Sequence, residues 1–464
     1  MLSPDEVVDV TRDLWKRLQC ELPEHDRVRG YALGRRGVPS IPEGAGDELA
    51  DLARLSVMNV LKPVVDAFSS ISVEGFRSPA DETNGDVWDL WQADRLDARQ
   101  SEVYRPAVQY GSAYTVALKD STRIRSPRQM IAVYTDPSMD LWPIYALEHW
   151  IDHSGTKPVR RGFLYDDEFA YPVSLGNAGI RVRRIDGDEF SQQSVRIGYE
   201  PGTETAHGGA VDGEAVCPAV RFVNDRDTED CVIGEVSPLI TNQRAINAVN
   251  FDRLVVSRFG AFPQKYAIGW AASSSDELAR VSAARLMAFD DENIKVGDFA
   301  QASVEGYNAI LGEMKVHVAK TAHVPVGAVV ESAQNVGADT IAALDAPYQA
   351  KLDAKRRSFG ESWEQHLALK AAMNGVTVPD DAEVVWDTSE ARSFAQVIDG
   401  ISKLVAADPS LLPELLQDIP GWNQQRVDAA RAALRRGAGS RVLNALRGAA
   451  SATGAADDNQ PPAA

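Results

Sequence analysis

The stretch AHVPVGAVVESAQNVGADTIAALDAPYQAKLDAKRRSFGESW, Ala322 to Trp363, decides the architecture. Its opening carries Pro325 and Gly327, and Glu331 is the only acid between Thr321 and Gly337. Proline lacks the backbone donor a helix needs and glycine weakens one, so Thr321–Gly337 reads as an interruption. A long helix then runs from Asp339 to about Met373. Its apolar positions Ile341, Leu344, Tyr348, Leu352, Phe359, Trp363 and Leu367 fall mostly three, four or seven apart. At ~1.5 Å per residue it reaches about 50 Å, a length that suits an element spanning a large assembly. The same helix carries a basic run, Lys351, Lys355, Arg356 and Arg357. Two readings stand: a solvated or salt-bridged face, or a contact with a neighbouring subunit or a phosphate backbone.

Upstream of the interruption, Ala302–Lys320 is helical. The block from Phe262 to about Phe299 is mixed. Pro238–Phe259 is a helix with Leu239, Ile246, Val249, Leu254 and Val256 as apolar positions. From Gly111 to about Val236 the chain shows short strands: Ala113–Leu118, Ile131–Tyr134, Ile144–Ile151, Gly162–Tyr165 and Ala219–Val223. Turn clusters such as Asp186-Gly187-Asp188 separate them. The first quarter is helical. Ser3, Pro4 and Glu6 supply a cap, a first-turn proline and a capping-box partner. Further helices are expected over Asp47–Ile71, kinked or split at Pro63, and over Asp86–Tyr110. Downstream, Val384–Trp386 reads as a strand. Ser393–Ala406, Leu411–Leu416 and Gln424–Leu446 read as helices, and the Ala, Gly, Pro and Asp-rich end, Gly448–Ala464, as disordered.

The composition removes several function classes. The net charge of −19 over 464 residues argues against a sequence-reading DNA binder, which needs a basic face. Three cysteines without a CxxC pattern fit a reducing compartment and give no disulfide scaffold or zinc site. Asp5, Glu6, Asp9 and Asp13 interrupt any signal-peptide core, and no apolar run is long enough to span a membrane. There is no phosphate loop, no GxSxG and no HExxH. Asp186–Glu189 and Asp225–Asp230 lack the glycine and glutamate of a calcium loop. His149 and His153 lie in a strand-like segment, where they share a face about 13 Å apart, too far for one ion. They read as strand surface. Asp290, Asp291 and Glu292 have no partner for acid–base work and read as a solvated loop. No catalytic, metal or cofactor site is expected.

Several of these segments, in their order, resemble one family. Gly234–Gly269 resembles the stem-helix region of siphophage-type portal proteins, and Ala322–Trp363 their tunnel loop followed by the long wing helix. Ala107–Leu118 and the helical C-terminal region fit as well. The likeness extends to about Leu446, with Gly337 where the family commonly has serine.

The resemblance implies an α+β portal fold with long stem and wing helices, small β-rich wing and clip parts and a helical crown, assembled as a ring. It implies a wing region over 1–236, a first stem helix over 237–260 and a clip over 261–300. A second stem helix at 301–320, a tunnel loop at 321–337, a wing helix and return strand at 338–388, a crown at 389–447 and a tail at 448–464 complete it. The tunnel loop makes Val324, Pro325, Val326, Gly327, Val329, Val330, Glu331 and Asn335 the expected channel lining. The implied function is a twelve-copy channel at one capsid vertex for packaging and ejecting double-stranded DNA, without enzymatic activity. The implied partners are the terminase large subunit (the packaging ATPase), a head-completion or connector protein, and the major capsid and scaffolding proteins. Its place is the virion, and the host cytoplasm during assembly. An acidic body suits a conduit that must pass duplex of any sequence without holding it.

Three other readings compete. A smaller ring-forming connector or adaptor lacks the stem–loop–long-helix succession. A DNA-processing enzyme needs the missing phosphate loop or metal carboxylates. A helical interaction protein of the host would not form rings.

Overall fold

The structure, a computed structural model, describes residues 1–44, 46–77, 85–177, 196–260, 265–268, 295–298, 303–329, 338–379, 382–387, 394–416, 419 and 424–435. The chain divides into two compact units. The first holds Met1–Asp26, Val65–Glu235 and Ala346–Ala464, and the second Arg27–Val64 and Val236–Asp345. The division cuts across the expected wing region, because Arg27–Val64 group with Val236–Asp345, which holds the segments expected as stem and clip. It also divides the charge unevenly. The second unit carries 15 basic and 16 acidic residues, a net of −1, which leaves −18 of the chain's −19 to the first.

The first unit is built on sheets. Helix α1, Pro4–Ala32, starts with the expected capping box: the Glu6 carboxylate accepts from the Ser3 amide at 2.8 Å and its hydroxyl at 2.6 Å. Its buried face, Val7, Leu14, Trp15, Leu18 and Leu22, repeats at helical spacing. That face packs on Ile131, Leu147, Leu164, Tyr171 and Val173 of an antiparallel sheet. The sheet comprises β4 (Met130–Val133), β5 (Tyr145–Asp152), β6 (Val159–Tyr165), β7 (Phe169–Asn177) and β8 (Gly198–Tyr199) in that order, with β9 (Thr205–Ala206) also on β7. A second sheet orders β12 (Ala219–Val223), β2 (Ser112–Leu118) and β3 (Ser121–Arg125). Alternate residues Tyr114 and Val116 of β2 share a core with Met130, Ala146 and Tyr165 of the larger sheet. Two ribbons complete the unit: β1 (Val73–Arg77) with β15 (Glu383–Trp386), and β10 (Ala210–Val211) with β11 (Glu214–Ala215).

Three short helices replace the single one expected over Asp86–Tyr110. They are α4 (Gly85–Ala93), α5 (Leu96–Arg99) and α6 (Ser101–Tyr110). Arg95 breaks the run by adopting a left-handed conformation, φ 56°. Likewise the Asp47–Ile71 pattern forms α2 (Asp47–Leu55) and α3 (Leu61–Ser69), split at Ser56–Val60 and not at Pro63. Pro63 sits in the first turn of α3, where its missing donor is not needed.

In the second unit, a 3₁₀ turn at Ser237–Leu239 leads into α7 (Ile240–Gly260). The antiparallel pair β13 (Lys265–Ile268) and β14 (Lys295–Asp298) follows, within the expected clip. Next come α8 (Glu305–Ala322), the one-turn α9 (Val326–Val329) and the start of α10 (Ala338–Met373). Three further helices, which belong to the first unit, are α11 (Phe394–Ala407), α12 (Leu412–Leu415) and α13 (Gln424–Arg435), and they share an apolar cluster that includes Ile401, Leu412, Leu416 and Val427.

From Ala346 onward, α10 belongs to the first unit. Its buried Phe359 and Trp363 meet Tyr104 of α6 and Phe222 of β12. The Trp363 indole donates to the Tyr104 hydroxyl at 2.8 Å.

Candidate functional site

Helices α7 and α8 pack together and run antiparallel, because the Arg253 guanidinium near the end of α7 donates to Asn308 near the start of α8 at 3.0 Å. Their seams differ. On α8 the buried residues are Leu311, Val318, Ala319 and Ala322. On α7 three of the four buried residues between 241 and 250 are amides, Gln243, Asn247 and Asn250, with Ile246 the fourth. The spacings of four and three put the amides on one face.

The amides face a non-helical stretch that cannot satisfy its own backbone. The Gln243 side chain accepts from the Val60 amide at 3.0 Å and donates to the Met58 carbonyl at 2.6 Å. Asn247 accepts from the Met58 amide at 3.0 Å and donates to the Gly37 carbonyl at 2.9 Å. Asn250 donates to the Ser56 carbonyl at 2.7 Å. A primary amide offers donor and acceptor together, so it replaces the ladder partner that the Ser56–Val60 backbone lacks. This device was missed in the sequence. Its signal was there: polar residues at 243, 247 and 250 lie where a helix seam should be apolar.

The interruption after α8 forms differently from the expected path. His323 ends the helix in a left-handed conformation, φ 57°. The Val324 amide reaches back to the Ala319 carbonyl at 3.0 Å and the His323 amide to Lys320 at 3.2 Å, a Schellman closure. Pro325 and Gly327 do not make an irregular path, since Val326–Val329 close one helical turn. Of the expected lining residues, Val324 is buried, Pro325, Val326 and Val329 are half-buried and Gly327 is exposed. Val330, Glu331 and Asn335 lie outside the described residues.

The basic run on α10 is largely accounted for within the first unit. Lys355, 2% exposed, places its ammonium 2.7 Å from Glu235 and 2.5 Å from the Asn224 carbonyl oxygen. Lys351 takes the other Glu235 oxygen at 2.6 Å, and both ammonium groups lie about 5 Å from the Phe68 ring centre. Arg356 donates to Asp353 at 3.0 Å and to the Asp387 carbonyl at 3.2 Å. Lys355 is therefore not available to a phosphate, which corrects that reading for it, and Arg357 alone of the four is exposed. Burial raises the Glu235 carboxyl, but Lys355 and Lys351 more than reverse this, so it titrates below the usual range. Burial pulls the Lys355 ammonium below its usual value despite the Glu235 charge.

The polar network around His366 is enclosed. Asp94 is 2.5 Å from the Lys370 ammonium and accepts the Thr122 hydroxyl proton at 2.5 Å. Thr122 can then only accept from His366 Nε2 at 2.9 Å, and Thr115 donates to Nδ1 at 3.0 Å. The network fixes a neutral imidazole, and burial, helped by Lys370, pushes its pKa down to about 3. With His366 fully buried, no substrate reaches it. His149 is buried against the edge of Trp15, which corrects the strand-surface reading. Within Asp225–Asp230, Asp227 accepts the Glu229 amide at 2.9 Å and Asp230 pairs with Arg221. Asp186–Glu189 and Asp290–Glu292 lie outside the described residues. Among the described residues no cluster of three or more His, Cys, Asp or Glu is placed to hold a metal, and no helix is long and apolar enough to cross a membrane.

The described residues thus comprise two sheets that share a core, an antiparallel helix pair and a long helix after a capped break. The chain belongs to the phage portal protein family of the SPP1 Gp6-like type, whose model matches residues 44–438. Similar relatives are the portal protein of Mycobacterium phage D29, 25% identical over 74% of this chain and 71% of that protein. The portal protein of Mycobacterium phage L5 is 24% identical over the same shares. Among solved structures, a chain from the virion of a native gene transfer agent particle covers 82% of this chain and 95% of its own, at 12% identity and TM-score 0.42. A chain from the neck of the native particle covers 85% and 99%, at 12% identity and TM-score 0.43. As a family member the chain is a structural component of the virion. It forms a ring at a capsid vertex and acts as a channel for genome packaging and ejection, not as an enzyme.

Proposed function

We propose that α7, α8 and the chain that follows them form the wall and the narrowest collar of the DNA channel, in a ring of twelve copies. The observation that carries this is the capped break after α8. The uncharged turn Val324–Val329 succeeds an antiparallel helix pair, with Glu331 the only acid before α10. Small and apolar groups repeated around a ring touch DNA by shape without trapping phosphates. On this reading Val326, Val329 and Val330 pack loop against loop, and Glu331 and Asn335 stay hydrated near the duplex. The two helices are the stem and 261–300 the clip. The rest of α10 is the wing helix, 389–447 the crown, and 448–464 a tail outside the ring contacts.

The clip then meets the terminase large subunit during packaging and a head-completion or connector protein afterwards. The capsid and scaffolding proteins surround the wing, and assembly takes place in the host cytoplasm. Substitution tests the collar. Tryptophan at Val326 or Val329 should leave rings intact by electron microscopy but reduce DNA-filled heads. Glu331→Lys should slow packaging, most at low salt. Normal filling by all three variants at every salt concentration would remove this segment from the channel wall.

A further inference from the structure

Most described arginines of this chain are paired, and of the seven that are not, four lie in one unit, the others being Arg95, Arg196 and Arg357 of the first unit. Among the described residues Arg29, Arg35, Arg36 and Arg244 have neither an ion pair nor a hydrogen bond from the guanidinium, whereas Arg12, Arg54, Arg105, Arg123, Arg128 and Arg221 each hold a carboxylate. All four lie in the second unit. Local folding gathers the first three. The left-handed Gly34, φ 64°, turns the chain at the end of α1, and the Arg35 amide returns to the Gly30 carbonyl at 2.7 Å. The Arg36 side chain lies over Gly30, where a Cβ would come within 2.7 Å of it. Gly37, next in sequence, is fastened to Asn247 of α7, and Arg244 stands one turn before Asn247. No acid occurs between Arg27 and Pro42. Beside this patch is a groove of about 600 Å³ whose apolar lining includes Tyr31, Val38, Pro39, Ala248 and Phe251, with Arg244 and Asp252 at α7.

We propose that this arginine patch and its groove receive an acidic surface of the adjoining copy in the ring. The inference rests on the ring reading and adds the charge that holds neighbours together. A cyclic ring joins two different faces of the same chain, so the two must complement each other. Each chain is −19, and identical acidic bodies repel at contact distance. A positive face on one side of the interface removes that penalty. This cluster supplies such a face, with apolar surface beside it as an interface core requires. The last turn of α1 offers a second role, because cations favour a helix C-terminus. That role accounts for Arg29, Arg35 and Arg36, but not for Arg244, which lies early in α7.

Ring formation by the full chain, followed by mass photometry from about 0.05 to 1 M salt, tests it, since the screening length falls from more than 10 Å to about 3 Å over that range. The variants are the triple Arg29→Glu, Arg35→Glu, Arg36→Glu, the single Arg244→Glu, and the triple arginine-to-lysine control. Wild-type and lysine chains should form rings at low salt. The glutamate triple should associate at least about tenfold more weakly there, with Arg244→Glu intermediate, and recover as salt screens the new repulsion. Unchanged melting would show the variants folded. Three outcomes overturn the proposal: a glutamate triple that assembles like wild type at low salt, a defect that high salt does not relieve, or normal rings that lose only affinity for a duplex DNA probe. A wild-type chain that forms no ring at any salt would instead overturn the ring reading itself.

Discussion

Removing the Lys355 ammonium leaves Glu235 a buried carboxylate with one partner fewer. Lys355→Ala should therefore destabilise the chain by about 3–5 kcal/mol, read as a fall in Tm. Lys355→Met together with Glu235→Gln should cost far less, because the uncompensated charge goes with the ammonium. Arg357→Ala, on the exposed side of the same run, should change Tm little. His366 gives a pH dependence. Its folded pKa of about 3 lies below the ordinary imidazole value, so the unfolded chain binds a proton that the folded chain refuses. Its contribution to stability is whole above about pH 6.5 and falls as pH drops toward 3, by up to about 1.4 kcal/mol per pH unit. His366→Gln should flatten the Tm profile over that window. An unchanged slope would mean that another group controls it. The residue scale was the least legible in sequence. Lys351 and Lys355 stood out as a basic run, but Glu235 is 120 residues upstream of Lys355, and no local pattern reports that pairing.

Elements were legible where periodicity was long and breaks were chemical. Helices α1, α7, α8 and α10 lie where hydrophobic spacing put them, and five expected strands fall within a residue or a few of β2, β4, β5, β6 and β12. Two helix ends had no compositional signal: Arg95 and His323 adopt positive φ without being glycine. This yields a prediction. His323→Gly keeps the left-handed cap without Cβ strain and should raise Tm, by about 0.5–1 kcal/mol in stability, while a β-branched Val should lower it. The amides of α7 give another. Asn247→Leu preserves bulk but strands the Met58 amide and the Gly37 carbonyl, at about 1–3 kcal/mol for each buried group, and Tm should fall accordingly.

For the whole molecule the expected images are rings with a central hole, and purified rings should show no ATP hydrolysis of their own. Deleting Gly448–Ala464 should leave those rings intact, since the composition of that stretch cannot bury a core. Monomers from the truncated chain would make the tail part of the assembly. Fold class and family role were within reach of sequence because the succession of helix pair, break and long helix is written in periodicity and in Pro325 and Gly327. The grouping of Arg27–Val64 with Val236–Asp345 was not, because it depends on side chains meeting across long separations. Met58 and Asn247, for example, are 189 residues apart. That separation is also a time. A ribosome adding about 5–20 residues per second needs about 10–40 s to go from the Met58 codon to the Asn247 codon. Throughout that interval the Ser56–Val60 backbone waits for partners that do not yet exist. Early in translation this corner of the protein is a nascent chain that cannot finish folding, so it depends on water, or on a chaperone, until α7 leaves the exit tunnel.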